Sequence, residues 1–264
     1  MCLILFAYRS RQDLPLVVAA NRDEFFERPT GIAHFWPHQP SLLAGRDLQA
    51  GGTWLGITRH GRFAAVTNLR GHPNPALALS QNPPSRGRLT HDFLISTQTG
   101  RDYCNTVMAN AEYYGGFNLL VFDGEELLYC HNRFGDDKSA IQALAPGVYG
   151  LSNGLLNEDW PKVTTGKTQL QNLLDSESVN SESLLKLLHD DQPHPDSLLP
   201  DTGVGKDLER TLSPRFIRAG TGGYGTCNST ALIMQSDSIS FHERSFYTKP
   251  YQSVPTDQDF RFSY

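Results

Sequence analysis

The feature that most restricts how this 264-residue chain can fold is its opening, where two apolar runs, "CLILFAY" and "LPLVVAA", are separated only by the polar "RSRQD". Neither run alternates as a half-exposed strand would. Together they predict a β-hairpin buried on both faces, with Cys2 beginning a core strand. The pattern repeats along the chain. "GGTWLGIT" and "GRFAAVTNL" flank "RHG", and "GFNLLVF" and "ELLYCHN" flank "DGE", each a hairpin whose glycine permits positive φ at the turn. "GVYGLSN", "STALIMQ" and "SISFHERSF" carry strands into the last third, the final two split by a Ser-Asp turn.

Helical patterns fall between these strands: "SRGRLTHDFLISTQ", with Leu89, Phe93 and Leu94 on one face, then "DYCNTVMANAEYY", "KTQLQNLL" and "SESLLKLLHD", the last N-capped at Ser181. Strands, then helices, then strands predict an α+β fold of mostly antiparallel sheets covered by helices, in one domain over 1–264. Residues 71–88 and 190–206 are rich in Pro, Gly and Asp and are too long for ordinary connections, so they are expected to be loops or lids over a site.

Charge and cysteine usage narrow the function classes. The net charge of -5 provides no basic stripe, which excludes nucleic acid as the expected partner and leaves a small-molecule ligand. Arg9, Arg11 and Asp13 break the opening apolar run before it reaches signal-peptide or membrane-span length, so a cytoplasmic protein without a transmembrane segment is expected. Cys2, Cys104, Cys130 and Cys227 show no CxxC or metal-knuckle spacing, which suits reduced thiols. His34 and His38 in "HFWPH" have helical spacing, but Pro37 between them breaks the geometry of a helical metal pair. "GTGGYGTCNST" lacks the lysine of a phosphate loop and precedes a strand; its glycines suit a close backbone approach.

Cys2 is the candidate nucleophile. Removal of Met1 would leave a cysteine carrying both a thiol and a free α-amine, whose ordinary pKa of roughly 7.7–8.0 lets it take the thiol proton near neutral pH. A buried cysteine at a strand start is, alone, only a small hydrophobe. It is the four consecutive polar residues Asn21, Arg22, Asp23 and Glu24, directly after "VVAA", that give it company. The hairpin brings the end of the second strand beside Cys2, where Arg22 would lower the thiol pKa and Asp23 would accept from the α-ammonium. Asn68 in "VTN" and Asn153 in "LSN" end apolar strands, where an amide can donate to a developing oxyanion.

These residues carry a family likeness. Cys2 behind the methionine, "AANRDEFFERP", "GRDLQAGGTWLGI", "AVTNLRG", "GFNLL", "GVYGLSNGLL", "GYGT" followed by "NST", and "ERSF" resemble the NRDE, or transport and Golgi organization 2, family almost end to end. That family resembles more distantly the N-terminal-nucleophile hydrolases of the choloylglycine hydrolase and penicillin V acylase type. The resemblance implies an αββα sandwich, with Cys2, Arg22, Asp23, Asn68 and Asn153 at matching positions. Two departures stand out. Arg22 and Asp23 are adjacent, so on a regular strand they point to opposite faces, and Cys227 stands where many relatives carry an arginine, leaving Arg218 as the nearby cation.

The likeness also implies an intracellular haem-binding and haem-trafficking protein, because family members are implicated in moving haem. Such cargo needs an apolar pocket, propionate partners and a labile iron contact. Arg22, Arg215 or Arg218 would serve the propionates, and Cys2 or one of nine histidines the iron; the absence of CxxCH excludes covalent attachment. The family likeness thus puts haem carriage first, whereas the residue chemistry alone points to a Cys2-dependent amidohydrolase acting through a thioester.

Overall fold

The opening hairpin forms. In the computed structural model, which describes residues 2–70, 83–132, 141–176, 178–218, 222–247 and 255–263, strand β1 (Cys2–Arg11) runs antiparallel to β2 (Leu14–Phe25). Every residue from Leu3 to Ala7 and from Leu16 to Ala20 is buried, so both faces of the hairpin lie in core. A fully buried Leu, Ile or Val contributes roughly 1.5–3 kcal/mol, and the length of this run explains its dominance of the first unit. The second strand is longer than its apolar run: it carries "NRDE" inside it.

The chain divides into two compact units, one of Met1–Arg28 with Pro146–Ser263, the other of Pro29–Ala145. The second unit is a seven-stranded antiparallel meander of β3 (Thr30–Trp36), β4 (Gln39–Asp47), β5 (Leu55–Thr58), β6 (Phe63–Asn68), β7 (Phe117–Phe122), β8 (Leu127–His131) and β9 (Ile141–Ala143), each strand beside its chain neighbour. The "RHG" turn joins β5 to β6 with Gly61 at φ 75°, as expected of a residue without Cβ. Two helices cover one face: α1 (Gly87–Ile95) and α2 (Gly100–Ala109) bury Leu89, Phe93 and Leu94, and Tyr103, Cys104 and Val107, against Leu42, Val66, Leu119 and Leu128. The Tyr103 hydroxyl donates to the Leu89 carbonyl at 2.7 Å and ties the helices together.

Gly52 explains part of the "GGTW" motif. A Cβ built there lies 2.6 Å from the Gly87 carbonyl carbon and 2.7 Å from its oxygen, both backbone atoms at the start of α1. Backbone has no rotamer to give, so Gly52→Ala is expected to lose about 2 kcal/mol of stability, within the range for overpacking. A urea midpoint equal to the parent's would show that α1 moves freely away from the β4–β5 connection.

In the first unit, β10 (Gly147–Leu151) pairs with β1, and β11 (Tyr224–Met234), β12 (Ser238–Ser245) and β13 (Thr256–Ser263) complete an antiparallel sheet of order β10-β1-β2-β11-β12-β13. Helices α3 (Pro161–Asp175) and α4 (Ser181–Leu188) cover the face that presents Leu3, Leu5, Val17, Ala19, Ala231 and Ile233. The N-cap of α4 is Asn180 rather than Ser181: Asn180 Oδ1 accepts from the Ser183 amide at 2.9 Å and Ser183 Oγ accepts from the Asn180 amide at 3.0 Å. The fold class is therefore α+β with antiparallel sheets, each unit supplying one sheet with helices on one face.

The stretch 190–206 is strapped down. Asp190 binds Arg215 at 2.6 Å, Asp196 binds Arg210 at 2.5 Å, and Thr202 donates through its amide and hydroxyl to Glu209, which lies in the short helix α5 (Lys206–Thr211). Most of the other expected lid, residues 71–82, lies outside the described residues. Among the described residues no helix is long and apolar enough to cross a membrane.

Candidate functional site

Strand β2 lies between β1 and β11, so Asn21 and Arg22 have a strand neighbour on either side, while Asp23 and Glu24 pair with Thr226 and Gly225 of β11. Cys2 stands opposite Arg22, and Arg22 opposite Asn228 of β11. Residues directly across a ladder share a face, which puts Cys2, Arg22 and Asn228 in one row. The neighbouring residues alternate to the helix-covered face. There Asn21, fully buried, donates through Nδ2 to the Leu188 carbonyl at 3.1 Å and the Arg215 carbonyl at 2.7 Å, while its Oδ1 accepts from the Ser229 hydroxyl at 2.6 Å. Asp23 also belongs to that face; its carboxylate accepts from the Thr226 hydroxyl at 2.6 Å. The chain thus uses the adjacency of Arg22 and Asp23 to place one on each face of the sheet.

The main chain of Cys2 is gripped at both ends by the residues after β10. Its N–H donates to Asn153 Oδ1 at 3.3 Å, and its carbonyl accepts from the Ser152 hydroxyl at 2.9 Å; Ser152 and Asn153 are themselves buried. Burial pushes the Cys2 thiol up and the Asp23 charge adds to that, while the Arg22 guanidinium and a hydrogen bond from the Asp23 backbone amide work the other way. Arg22 reaches Glu24 at 3.7 Å, and Glu24 reaches Arg28 at 3.8 Å. These carboxylate contacts compete with the thiol for the guanidinium's field.

Asp23 is held above the ordinary carboxyl range, mainly because it is buried; Lys162, the Thr226 hydrogen bond and Arg22 oppose the shift. A carboxyl whose folded pKa exceeds its unfolded one holds more protons in the folded state between the two values, so stability falls as pH rises through that window. Asp23→Asn keeps an oxygen for the Thr226 hydroxyl and removes the titration. The variant is expected to lose less stability than the parent between pH 4 and pH 7 in urea melts; parallel pH profiles would show that Asp23 is ionised at no energetic disadvantage.

The other predicted residues divide plainly. Asn153 joins Cys2, and it turns its oxygen, not its amide N–H, toward the Cys2 nitrogen. Asn68 is the exposed last residue of β6, paired with Phe117, and belongs to the second unit. Arg218 is exposed and engaged by the Asp191 carboxylate, and Arg215 is buried and paired with the half-buried Asp190. Cys227 occupies a bulge between Thr226 and Asn228, its sulfur 3.6 Å from the Glu24 and Gly225 carbonyls and its thiol pushed up to about 11 by burial. His34 sits in β3 and His38 in the turn that follows, and among the described residues no group of three or more His, Cys, Asp or Glu is placed to hold a metal ion.

Sequence reasoning passes over Ser152, Lys162, Thr226 and Asn228. Ser152 and Asn228 adjoin motif residues and are recoverable once the register is known. Lys162, whose Nζ donates to the Leu212 carbonyl at 2.8 Å, sits in the first turn of α3 with no local signal of its role.

Residues 1–248 match the family described as Transport and Golgi organisation 2. The chain is 33% identical to a Transport and Golgi organization 2 homolog of Mus musculus, covering 94% of each chain. It is also 33% identical to a Transport and Golgi organization protein 2 homolog of Bos taurus, covering 99% of each. Among solved structures it is similar to a Caenorhabditis elegans N-acylethanolamine-hydrolyzing acid amidase ortholog, at 10% identity and a TM-score of 0.49, over 88% of this chain and 92% of that one.

Proposed function

The chain belongs to the Transport and Golgi organisation 2 family, and from that premise we propose that it is an amide hydrolase whose nucleophile is Cys2, acting on a small amphipathic amide. The observation that carries this reading is the 3.3 Å contact from the Cys2 nitrogen to Asn153 Oδ1. Once the peptide bond before Cys2 is cut, that nitrogen is an α-amine, and Asn153 then orients it beside its own thiol. The amine takes the thiol proton, the sulfur attacks the amide carbonyl carbon, and the C–N bond breaks as the leaving amine takes the proton. Water then attacks the thioester, giving a carboxylic acid and restoring the thiol. Arg22, in the same row, favours the thiolate.

A second reading, haem carriage, gains weight only because burial raises the Cys2 thiol and keeps the nucleophilic thiolate scarce, which counts against hydrolysis. Intact mass spectrometry separates the two. The hydrolase reading expects a mature chain beginning at Cys2 that gains an acyl adduct on Cys2 when pulsed with an N-acyl amine and quenched in acid. A chain uncut before Cys2 that takes up haemin one to one under native spray, with no acyl adduct, overturns it and leaves haem carriage as the function.

A further inference from the structure

Two cysteines that sequence spacing keeps apart meet in the second unit. Cys104 of α2 and Cys130 of β8 are 26 residues apart, and their sulfurs lie 3.8 Å from each other in an S–H···S contact. Both are fully buried in the core that α1 and α2 form on the meander, among Val107, Leu128 and Tyr103, with Met108 and Ile141 at its margin. The other two thiols are differently placed, Cys2 in the candidate site and Cys227 against backbone carbonyls. Neither Cys104 nor Cys130 has any part in the Cys2 chemistry.

We propose that Cys104 and Cys130 form an oxidation site of this protein, an intramolecular disulfide that closes when a small hydroperoxide reaches the core and that clamps α2 to β8. The sulfurs must close from 3.8 Å to about 2.05 Å, a movement of roughly 1 Å by each side chain, and the two elements already pack together. The chemistry balances in two steps. One thiol gives up its proton and the thiolate attacks the peroxide, breaking the O–O bond to give a sulfenic acid and a hydroxide that takes that proton as water; the second thiol then displaces hydroxide from the oxidised sulfur, and the proton it loses makes the second water. Two thiols and one hydrogen peroxide become one disulfide and two waters.

The environment decides the rate and the specificity. The hydrogen bond to Cys104 and burial both hold the Cys130 thiol well above the ordinary range, so the reactive thiolate is scarce at neutral pH and its fraction grows as pH rises. Burial admits hydrogen peroxide through transient opening and excludes bulky disulfides such as oxidised glutathione. Once formed, the bond is shielded by the same burial from large reductants.

The test is peroxide treatment of the full chain at pH 7 and pH 9, followed by non-reducing peptide mapping. The expected result is a Cys104–Cys130 cross-linked peptide with a 2 Da mass loss, formed faster at pH 9 and reversed by dithiothreitol after unfolding. The oxidised protein is expected to melt about 5 °C higher, as a closed loop of this size predicts. In Cys104→Ala the cross-link and the shift in melting temperature should both vanish. Both thiols remaining free after treatment, or either ending as sulfinic acid without a cross-linked peptide, overturns the proposal. The mapping is done on the unsubstituted chain, so its outcome does not depend on how well the alanine variant folds.

Discussion

Asn21→Ala is expected to lose about 4 kcal/mol of folding stability, roughly a quarter or more of what a domain typically has. The side chain is fully buried and makes three hydrogen bonds, two donated to the Leu188 and Arg215 carbonyls and one accepted from Ser229. Truncation leaves two carbonyls and a hydroxyl without that partner, and each buried polar group left unsatisfied costs roughly 1–3 kcal/mol. Leu188 ends α4, and Arg215 belongs to the segment before β11. A single amide therefore fastens a helix end and a connection to the centre of the sheet. Ser229→Ala should lose only about 1 kcal/mol, because Asn21 keeps its two donated bonds, and the double variant should lose less than the sum. A urea titration in which Asn21→Ala shifts stability by under about 1 kcal/mol would show that water replaces the amide, and the fastening would have to be sought elsewhere.

That network also shows where the sequence is legible. Runs such as "CLILFAY" and "LPLVVAA" declare strands because an apolar stretch buried on both faces has no charged residue to contradict it, and the glycine-bearing turns of the later hairpins follow from backbone sterics. Strand β13 gives no such signal, since "TDQDFRFS" alternates between exposed and half-buried positions at the sheet edge and carries no apolar run. Helix α3 begins at Pro161, six residues before the predicted "KTQLQNLL", because "PKVTTG" contains β-branched residues and a glycine that propensity reads as non-helical. Its buried face and the proline in its first turn outweigh that preference. Strands β3 and β4 are hidden by the histidines and prolines around Trp36, which break up any apolar run.

The site is legible as a set of residues and illegible as an arrangement. "NRDE" looks like a solvated turn, yet it forms the interior of a twelve-residue strand, with Asn21, Arg22 and Asp23 all buried. Polar residues persist there because partners distant in sequence satisfy them: Ser229 and Thr226 of β11 donate to Asn21 and Asp23, and the Leu188 and Arg215 carbonyls accept from Asn21. No local pattern reports a hydrogen bond between residues about 200 positions apart, as Thr226 and Asp23 are. The role of Asn153 is obscured in the same way, since composition identifies an amide at a strand end and not which of its two atoms faces the neighbour.

Cys2→Ala is expected to lower turnover of any amide the protein hydrolyses by on the order of 10³-fold or more, because the covalent route disappears with its nucleophile. The substitution removes one sulfur from the first residue of β1, which keeps partial exposure although its thiol is desolvated, so stability should change by no more than about 1 kcal/mol. A kinetic loss is then separable from unfolding by comparing urea melts of the two proteins. In the parent, turnover should rise with pH while the thiol and α-amine lose their protons, since burial raises the thiol and makes its thiolate scarce near neutrality. Arg22→Ala should lower turnover as well, by removing the guanidinium that favours the thiolate, and should move the alkaline limb of the profile to higher pH. Haemin uptake, measured in parallel, should be the same for Cys2→Ala and the parent unless the sulfur is itself the iron contact. Hydrolysis that survives in Cys2→Ala would remove the nucleophile assignment at once, whatever the mature amino terminus proves to be. Hydrolysis that vanishes while fold and haemin uptake persist would place the chemistry on this one sulfur.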